Sequence, residues 1–369
     1  MPNRREFLKD VAGASGLMFV GCGLVETRAQ AGPSSGAGMK HPPVLIKGRR
    51  IRTVDIHAHC AVPKATELLK QQVNPATLLL EGQPLADRLE HMDAQGIDTA
   101  VLSINPNWYS VDRDLVTEVI RVQNEALAEF CSGHADRFAA LASIALQFPA
   151  LAAEQLEQAT RKMGLRGAAI GGSVGGLELA DPKFHPFWAK AEALGALVFI
   201  HPQGSAAGAF SARLQGSGAL GVTVWNPIET TVALTHLIFE GTLDRFPGLK
   251  ICAAHGGGYL PSYMNRSDYG CQVFPQQCRP GVPSHRPTEY LKRLYYDSIV
   301  FTREALRHLA AEVGPRQIIM GTDYPYPWVK EPLEHILDTP GLTDDDREAM
   351  LGATAARLLG LPRGAERQP

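Results

Sequence analysis

From Ile51 onward the chain alternates short apolar runs with longer stretches in which apolar positions recur every three or four residues. The short runs read as strands buried on both faces, and the longer stretches as helices packed against them. Eight runs qualify: Thr53–His57, Thr99–Ile104, Phe138–Leu146, Gly167–Ile170, Ala196–His201, Lys250–His255, Leu294–Ile299 and Gln317–Gly321. Helical stretches cover Ala86–Gln95, Leu115–Cys131, Ala150–Met163, Phe187–Leu194, Ile228–Phe246, Pro261–Tyr269, Arg303–Val313 and Thr343–Leu359. The second shows the stripe well, with Val116, Val119, Ile120, Gln123, Leu127 and Phe130 on one face. Gly or Pro closes several of them, as at Gly164, Gly195 and Gly314-Pro315. Regular strand–helix alternation over residues 51–361 predicts an α/β fold, a single (β/α)8 TIM barrel with insertions. Two connections, Pro202–Asn226 and Gly270–Pro287, are long enough to read as loops that cover a substrate.

The ends of the chain differ from this body. Asn3-Arg4-Arg5-Glu6-Phe7-Leu8-Lys9, a weakly apolar stretch from Val11 to Leu24, and Ala29-Gln30-Ala31 form a twin-arginine-type signal peptide over residues 1–31. Its apolar middle is too short and too Gly/Ala-rich for a stable membrane span. The expected destination is the periplasm, with a lipid anchor at Cys22 as the alternative. Residues 32–50 are read as a linker rich in Pro, Gly and Ser, and residues 362–369 as a tail. With 20% charged residues, 45% apolar residues and a formal net charge of -2 among 369 residues, nothing points to nucleic acid. The six cysteines form no C-x-x-C pair; Cys271 and Cys278 flank a Pro-containing loop and are free to pair or not.

The chemistry lies where strands end. His57 and His59 close the first strand, His201 the fifth and His255 the sixth; Asp323 follows the eighth. Residues two apart on a strand share a face, so His57 and His59 form half of a metal site. Active sites of such barrels gather at this C-terminal face. Imidazole and carboxylate donors suit one divalent metal ion, zinc first, with manganese, iron or cobalt as alternatives. A catalytic ion keeps a position free, so one of the five residues should move protons and not bind the ion. His255 is chosen because Gly256-Gly257-Gly258 lets a substrate approach it closely. Trp108, Trp225, Tyr324, Tyr326 and Trp328 stand near strand ends and are expected to wall a pocket for a flat ring.

These motifs carry a resemblance. Asp-Ile-His-Ala-His, Phe-Ile-His-Pro, Phe-Pro-Gly-Leu-Lys-Ile-Cys-Ala-Ala-His-Gly-Gly-Gly and Met-Gly-Thr-Asp-Tyr-Pro resemble the second amidohydrolase family, from Arg52 to Leu361. Within it the likeness is to decarboxylases of the aminocarboxymuconate-semialdehyde type. The resemblance implies a single metal held by His57, His59, His201 and Asp323, with His255 and Asp323 catalytic. It implies a homodimer, and it makes Arg266 the arginine that grips a substrate carboxylate, as bidentate guanidinium pairs do. No lysine closes the fourth strand, where binuclear amidohydrolases carry one; Gly171-Gly172 follow it. Two further family arginines have no counterpart: Leu78-Leu79-Leu80-Glu81-Gly82-Gln83 stands for one, and Phe274, with Arg279 nearby, for the other.

Three functions compete. The first is a metal-dependent decarboxylase of an aromatic or unsaturated small carboxylic acid. The second is a hydrolase of an amide, ester or lactone that uses the same residues. The third is a noncatalytic binding protein built on the barrel, which the full set of five polar residues argues against.

Overall fold

The computed structural model describes residues 40–72, 77, 83–204, 212–278 and 283–362. Residues 1–31, read as a signal peptide, together with residues 78–82 and Arg279, lie outside this set. Eight parallel strands occupy the eight expected places: β1 Val54–His59, β2 Thr99–Ser103, β3 Phe138–Ala140, β4 Gly167–Ile170, β5 Leu197–Ile200, β6 Lys250–Ala253, β7 Tyr295–Asp297 and β8 Ile318–Ile319. Pairing runs β1-β2-β3 in one arc and β4-β5-β6-β7-β8 in the other. Single parallel bridges join the arcs, Ala142 to Ala168 and Ala58 to Tyr324. Backbone bonds from Ala142 N to Gly167 O (2.8 Å) and from Ile56 N to Met320 O (2.9 Å) seal the two seams. The result is a closed cylinder, the barrel that the alternation predicts.

Inside it Val54, Ile56, Val101, Leu141, Ala169, Leu197, Phe199, Cys252 and Ile319 form one apolar cluster. A larger cluster fills the space between the strands and the outer helices. These helices include α1 Gln83–Ala94, α2 Arg113–Gly133, α3 Pro149–Lys162, α4 His185–Leu194, α5 Asn226–Phe239, α6 Asn265–Val273, α7 Arg303–Val313 and α8 Thr354–Leu359. Helix α2 buries Val116, Val119, Ile120, Gln123 and Leu127, and Asp112 caps it by accepting from Asp114 N and Leu115 N.

Three expectations need correction. The regular third strand stops at Ala140 and its backbone pairing at Ala142, beyond which side-chain amides take over: Asn124 Oδ1 accepts from Ser143 N at 2.9 Å and Gln155 Oε1 from Ala145 N at 2.8 Å. The segment read as a linker is partly structure. Val44 and Ile46 are buried, and Leu45–Ile46 pairs with Arg49–Arg50 around a turn with positive φ at Lys47 and Gly48. The last helical stretch is broken by a π-turn over Ala349–Ala353. There the Met350 carbonyl accepts from Met320 N at 2.8 Å, and a Cβ on Gly352 would stand 2.0 Å from the Arg52 carbonyl oxygen. The C-terminal segment therefore seals the barrel floor.

Trp108, expected at a pocket wall, is instead fully buried, with its Nε1 donating to the Ile144 carbonyl at 2.9 Å. A Trp108→Ala substitution should lower the unfolding free energy by about 3–5 kcal/mol; an unchanged denaturant midpoint would contradict this packing.

Candidate metal centre and active site

Strict alternation along β1 would turn His57 away from the interior, since Val54 and Ile56 already point inward. The pairing of β1 with β2 shifts register between Asp55 and Ala58, a bulge that re-aims the strand end. Beyond it Ala58 faces the outer core, while His57 and His59 face inward with their Nε2 atoms 3.1 Å apart. The His57 ring lies 5.0 Å from those of Phe199 and His201 and 5.3 Å from that of His255, centroid to centroid. From the far end of the chain, Asp323 Oδ1 comes to 2.6 Å from His59 Nε2 and 3.1 Å from His57 Nε2, and its Oδ2 to 3.7 Å from His255 Nε2. One ligating atom from each of His57, His201, His255 and Asp323 falls within 4.8 Å of all the others.

Each imidazole is oriented by its other nitrogen or by its backbone. His57 Nδ1 donates to Asp297 Oδ2 at 2.7 Å, and His201 Nδ1 lies 2.7 Å from the Pro202 carbonyl. Among the described residues His201 Nε2 is then left buried without a protein partner, as are His59 Nδ1 and His255 Nδ1. A buried nitrogen without a partner is costly, and His201 Nε2, whose ring stands 5.0 Å from that of His57, fits a metal ion. Both His255 and Asp323 adopt positive φ, 56° and 64°, which costs energy for residues with a Cβ and is typical of functional positions. After His255 the three glycines also have positive φ, and a Cβ on Gly258 would stand 2.1 Å from the Pro227 carbonyl oxygen.

Electrostatics match this arrangement. Burial lowers the pKa of His59 and lowers that of His201 well below the imidazole range, so both present neutral rings. Burial also opposes a charge on His57, but the carboxylates of Asp323 and Asp297 outweigh it and raise its pKa to about 10. For Asp323 burial is likewise outweighed, by the neighbouring imidazoles, which hold it well below the carboxylate range. In the ion-free chain a proton on His57 thus supplies the positive charge that the two carboxylates require.

The other expected residues are scattered. Arg266 stands exposed on α6, lining a surface groove of about 450 Å³ with Thr231, Tyr259 and Tyr263, and makes no bond to the imidazole cluster. Tyr324 packs under the Arg88 guanidinium at 4.3 Å and against His91, on the outer side of β1. Its neighbour Tyr326 is the one whose ring meets His59, at 5.7 Å. Trp328 is 41% exposed and touches Phe301, and Trp225 lies beside Glu229 at the start of α5.

Sequence reasoning missed three buried polar residues around the cluster. Asp55 accepts from His57 N, Thr322 N and Thr322 Oγ1, tying β1 to the segment that carries Asp323. Asp297 accepts from the backbone at His255 as well as from His57. Arg88, 3% exposed, donates to the His59 carbonyl at 2.8 Å. The available signal was an acid inside each of two apolar strands, Val-Asp-Ile and Tyr-Tyr-Asp.

The amidohydrolase family model matches residues 54–361, nearly the whole described body. The chain belongs to the amidohydrolase family. Among its curated relatives, the 2-amino-3-carboxymuconate-6-semialdehyde decarboxylase of Dictyostelium discoideum is 31% identical over 283 residues, 74% of this chain and 76% of that one. The gamma-resorcylate decarboxylase of Rhizobium sp. strain MTP-10005 is 31% identical over 286 residues, 74% of this chain and 85% of that one. Among solved structures, that of 5-carboxyvanillate decarboxylase from Sphingomonas paucimobilis matches with TM-score 0.73 and 26% identity, over 85% of this chain and all of that one. In this amidohydrolase the glycine run after His255 is a backbone requirement. Gly258→Ala should add strain of order 1–3 kcal/mol, lower the melting temperature and reduce turnover; a parental melting curve would contradict the close approach to Pro227.

Proposed function

We propose that the protein is a mononuclear metal-dependent decarboxylase of an aromatic or unsaturated small carboxylic acid. The observation that carries this reading is the convergence of four imidazoles and one carboxylate at the strand ends, in a chain whose relatives over three quarters of its length are decarboxylases. His57, His59, His201 and Asp323 would hold one divalent ion; their neutral nitrogen and carboxylate donors suit zinc, with manganese, iron or cobalt also compatible. When bound, the ion supplies positive charge that holds the substrate's oxygen atoms and offsets negative charge developing in the transition state. A single ion is supported at the end of β4, where a Cβ on Gly171 or Gly172 would meet the side chains of Gln203 and Glu229.

His255 is proposed as the proton carrier. It makes the longest contact to Asp323, 3.7 Å, and its side chain is 15% exposed while His57 is fully buried. In the reaction the bond between the carboxyl carbon and the adjacent carbon breaks, carbon dioxide leaves, and a proton from His255 takes its place on the remaining carbon. Tyr326, beside His59, offers a face for a flat ring. The hydrolase alternative uses the same residues but places an oxygen of water in the product.

Turnover should therefore release carbon dioxide with no label from isotopic water in the organic product; labelled product without carbon dioxide would establish the hydrolase. His201→Ala and Asp323→Ala should abolish bound metal by elemental analysis. His255→Ala should retain it and lose about two to four orders of magnitude in rate. Loss of the metal in that last variant would reverse the assignment of His255.

We further propose a homodimer. Tyr263, Tyr269, Val273 and Phe274 are each more than half exposed along the Leu260–Tyr263 turn and α6, an apolar face that a second copy would cover. Phe274→Glu with Tyr263→Glu should shift the protein to monomer in sedimentation; an unchanged mass would place the contact elsewhere. Export through residues 1–31 is also proposed, supported by the disulfide between Cys271 and Cys278, a bond suited to an oxidising compartment.

A further inference from the structure

We propose that Asp297 is the positioning residue that ties ion capture to proton delivery. Its carboxylate fixes His57 in the tautomer that aims Nε2 at the ion, and the same two oxygens clamp the left-handed turn that presents His255. This rests on the one-ion reading above. Asp297 is fully buried at the end of β7. Oδ2 accepts from His57 Nδ1 at 2.7 Å and from His255 N at 2.9 Å; Oδ1 accepts from Gly256 N at 2.8 Å and from Ile299 N at 3.1 Å. A carboxylate has about four lone-pair sites, so its accepting capacity is filled.

Three of the four partners are backbone N–H groups that can only donate. A carboxylate held ionised by them can only accept, so His57 Nδ1 must carry its proton. In the neutral ring that leaves the lone pair on Nε2, the atom that faces His59 and Asp323. The clamp on the turn offsets a real strain, since His255 and Gly256 both have positive φ, 56° and 61°.

Asp297→Asn separates this role from mere packing, because the side chain keeps its shape. The amide has one oxygen where the acid had two. Placing its NH2 at the Oδ1 position would turn it against two obligate donors, Gly256 N and Ile299 N; placing it at the Oδ2 position opposes only His255 N. The second orientation is favoured. It makes the amide donate to His57 Nδ1, which shifts the ring proton to Nε2 and turns an N–H toward the ion. The clamp on His255 is lost at the same time.

The test uses zinc as the probe. If the wild-type chain takes up none of zinc, manganese, iron or cobalt, the one-ion reading itself fails. If it takes up zinc, D297N should bind zinc about 10–100-fold more weakly in chelator competition. At saturating zinc, D297N should keep a reduced kcat with a smaller change in KM. Nitrogen-15 spectra of zinc-loaded wild type should show His57 protonated at Nδ1, and those of zinc-free D297N should show the proton of the neutral ring at Nε2. Wild-type zinc affinity or full kcat in D297N would overturn the proposal. So would an unprotonated Nδ1 in the wild type, a measurement that stands even if D297N does not fold.

Discussion

Everything at this site depends on the closure of the barrel between its first and last strands. His59 and Asp323 are 264 positions apart in the chain and 2.6 Å apart in space. Only the seam brings them together: Asp323 N donates to the His57 carbonyl at 2.8 Å and His59 N to the Tyr324 carbonyl at 2.7 Å. Asp55 reinforces it from the outer side by taking both the amide and the hydroxyl of Thr322. Fold and chemistry therefore share one constraint, and a chain that failed to close would lose both.

The seam also concentrates groups that repel or desolvate one another. Four imidazoles and an aspartate sit in a nearly water-free space, where unpaired charge and unpartnered nitrogen are costly. Burial keeps His59 and His201 neutral, while Asp323 and Asp297 demand a positive charge between them. A divalent ion would satisfy that demand and the unpartnered His201 Nε2 together. Because an ion of this kind binds the folded chain far better than the unfolded one, it would add about 4 kcal/mol of stability at a thousandfold excess over its dissociation constant. The same site that carries the chemistry then holds the two ends of the barrel together.

Much of this was legible along the chain, and what was not has identifiable causes. The eight strands announced themselves through apolar runs ended by Gly, Pro or polar residues, and the histidines stood out because each closed such a run. The pairing of His57 with His59 was read from a two-residue spacing, yet their inward direction depends on a bulge between Asp55 and Ala58 that no pattern in Val-Asp-Ile-His-Ala-His reveals. Asp55, Asp297 and Arg88 escaped notice because their roles lie in bonds to backbone atoms of other strands. Tyr324 and Trp108 were misplaced because an aromatic residue near a strand end is as well suited to the core as to a pocket; here one stacks on Arg88 and the other is fully enclosed.

The central claim is that one ion is held across the seam. Anomalous diffraction from crystals of the metal-loaded protein tests it most directly. The account requires one strong peak about 2.0–2.2 Å from nitrogens of His57, His59 and His201 and from an oxygen of Asp323. Two peaks, or a single peak that leaves Asp323 or His201 out of its coordination, would contradict it.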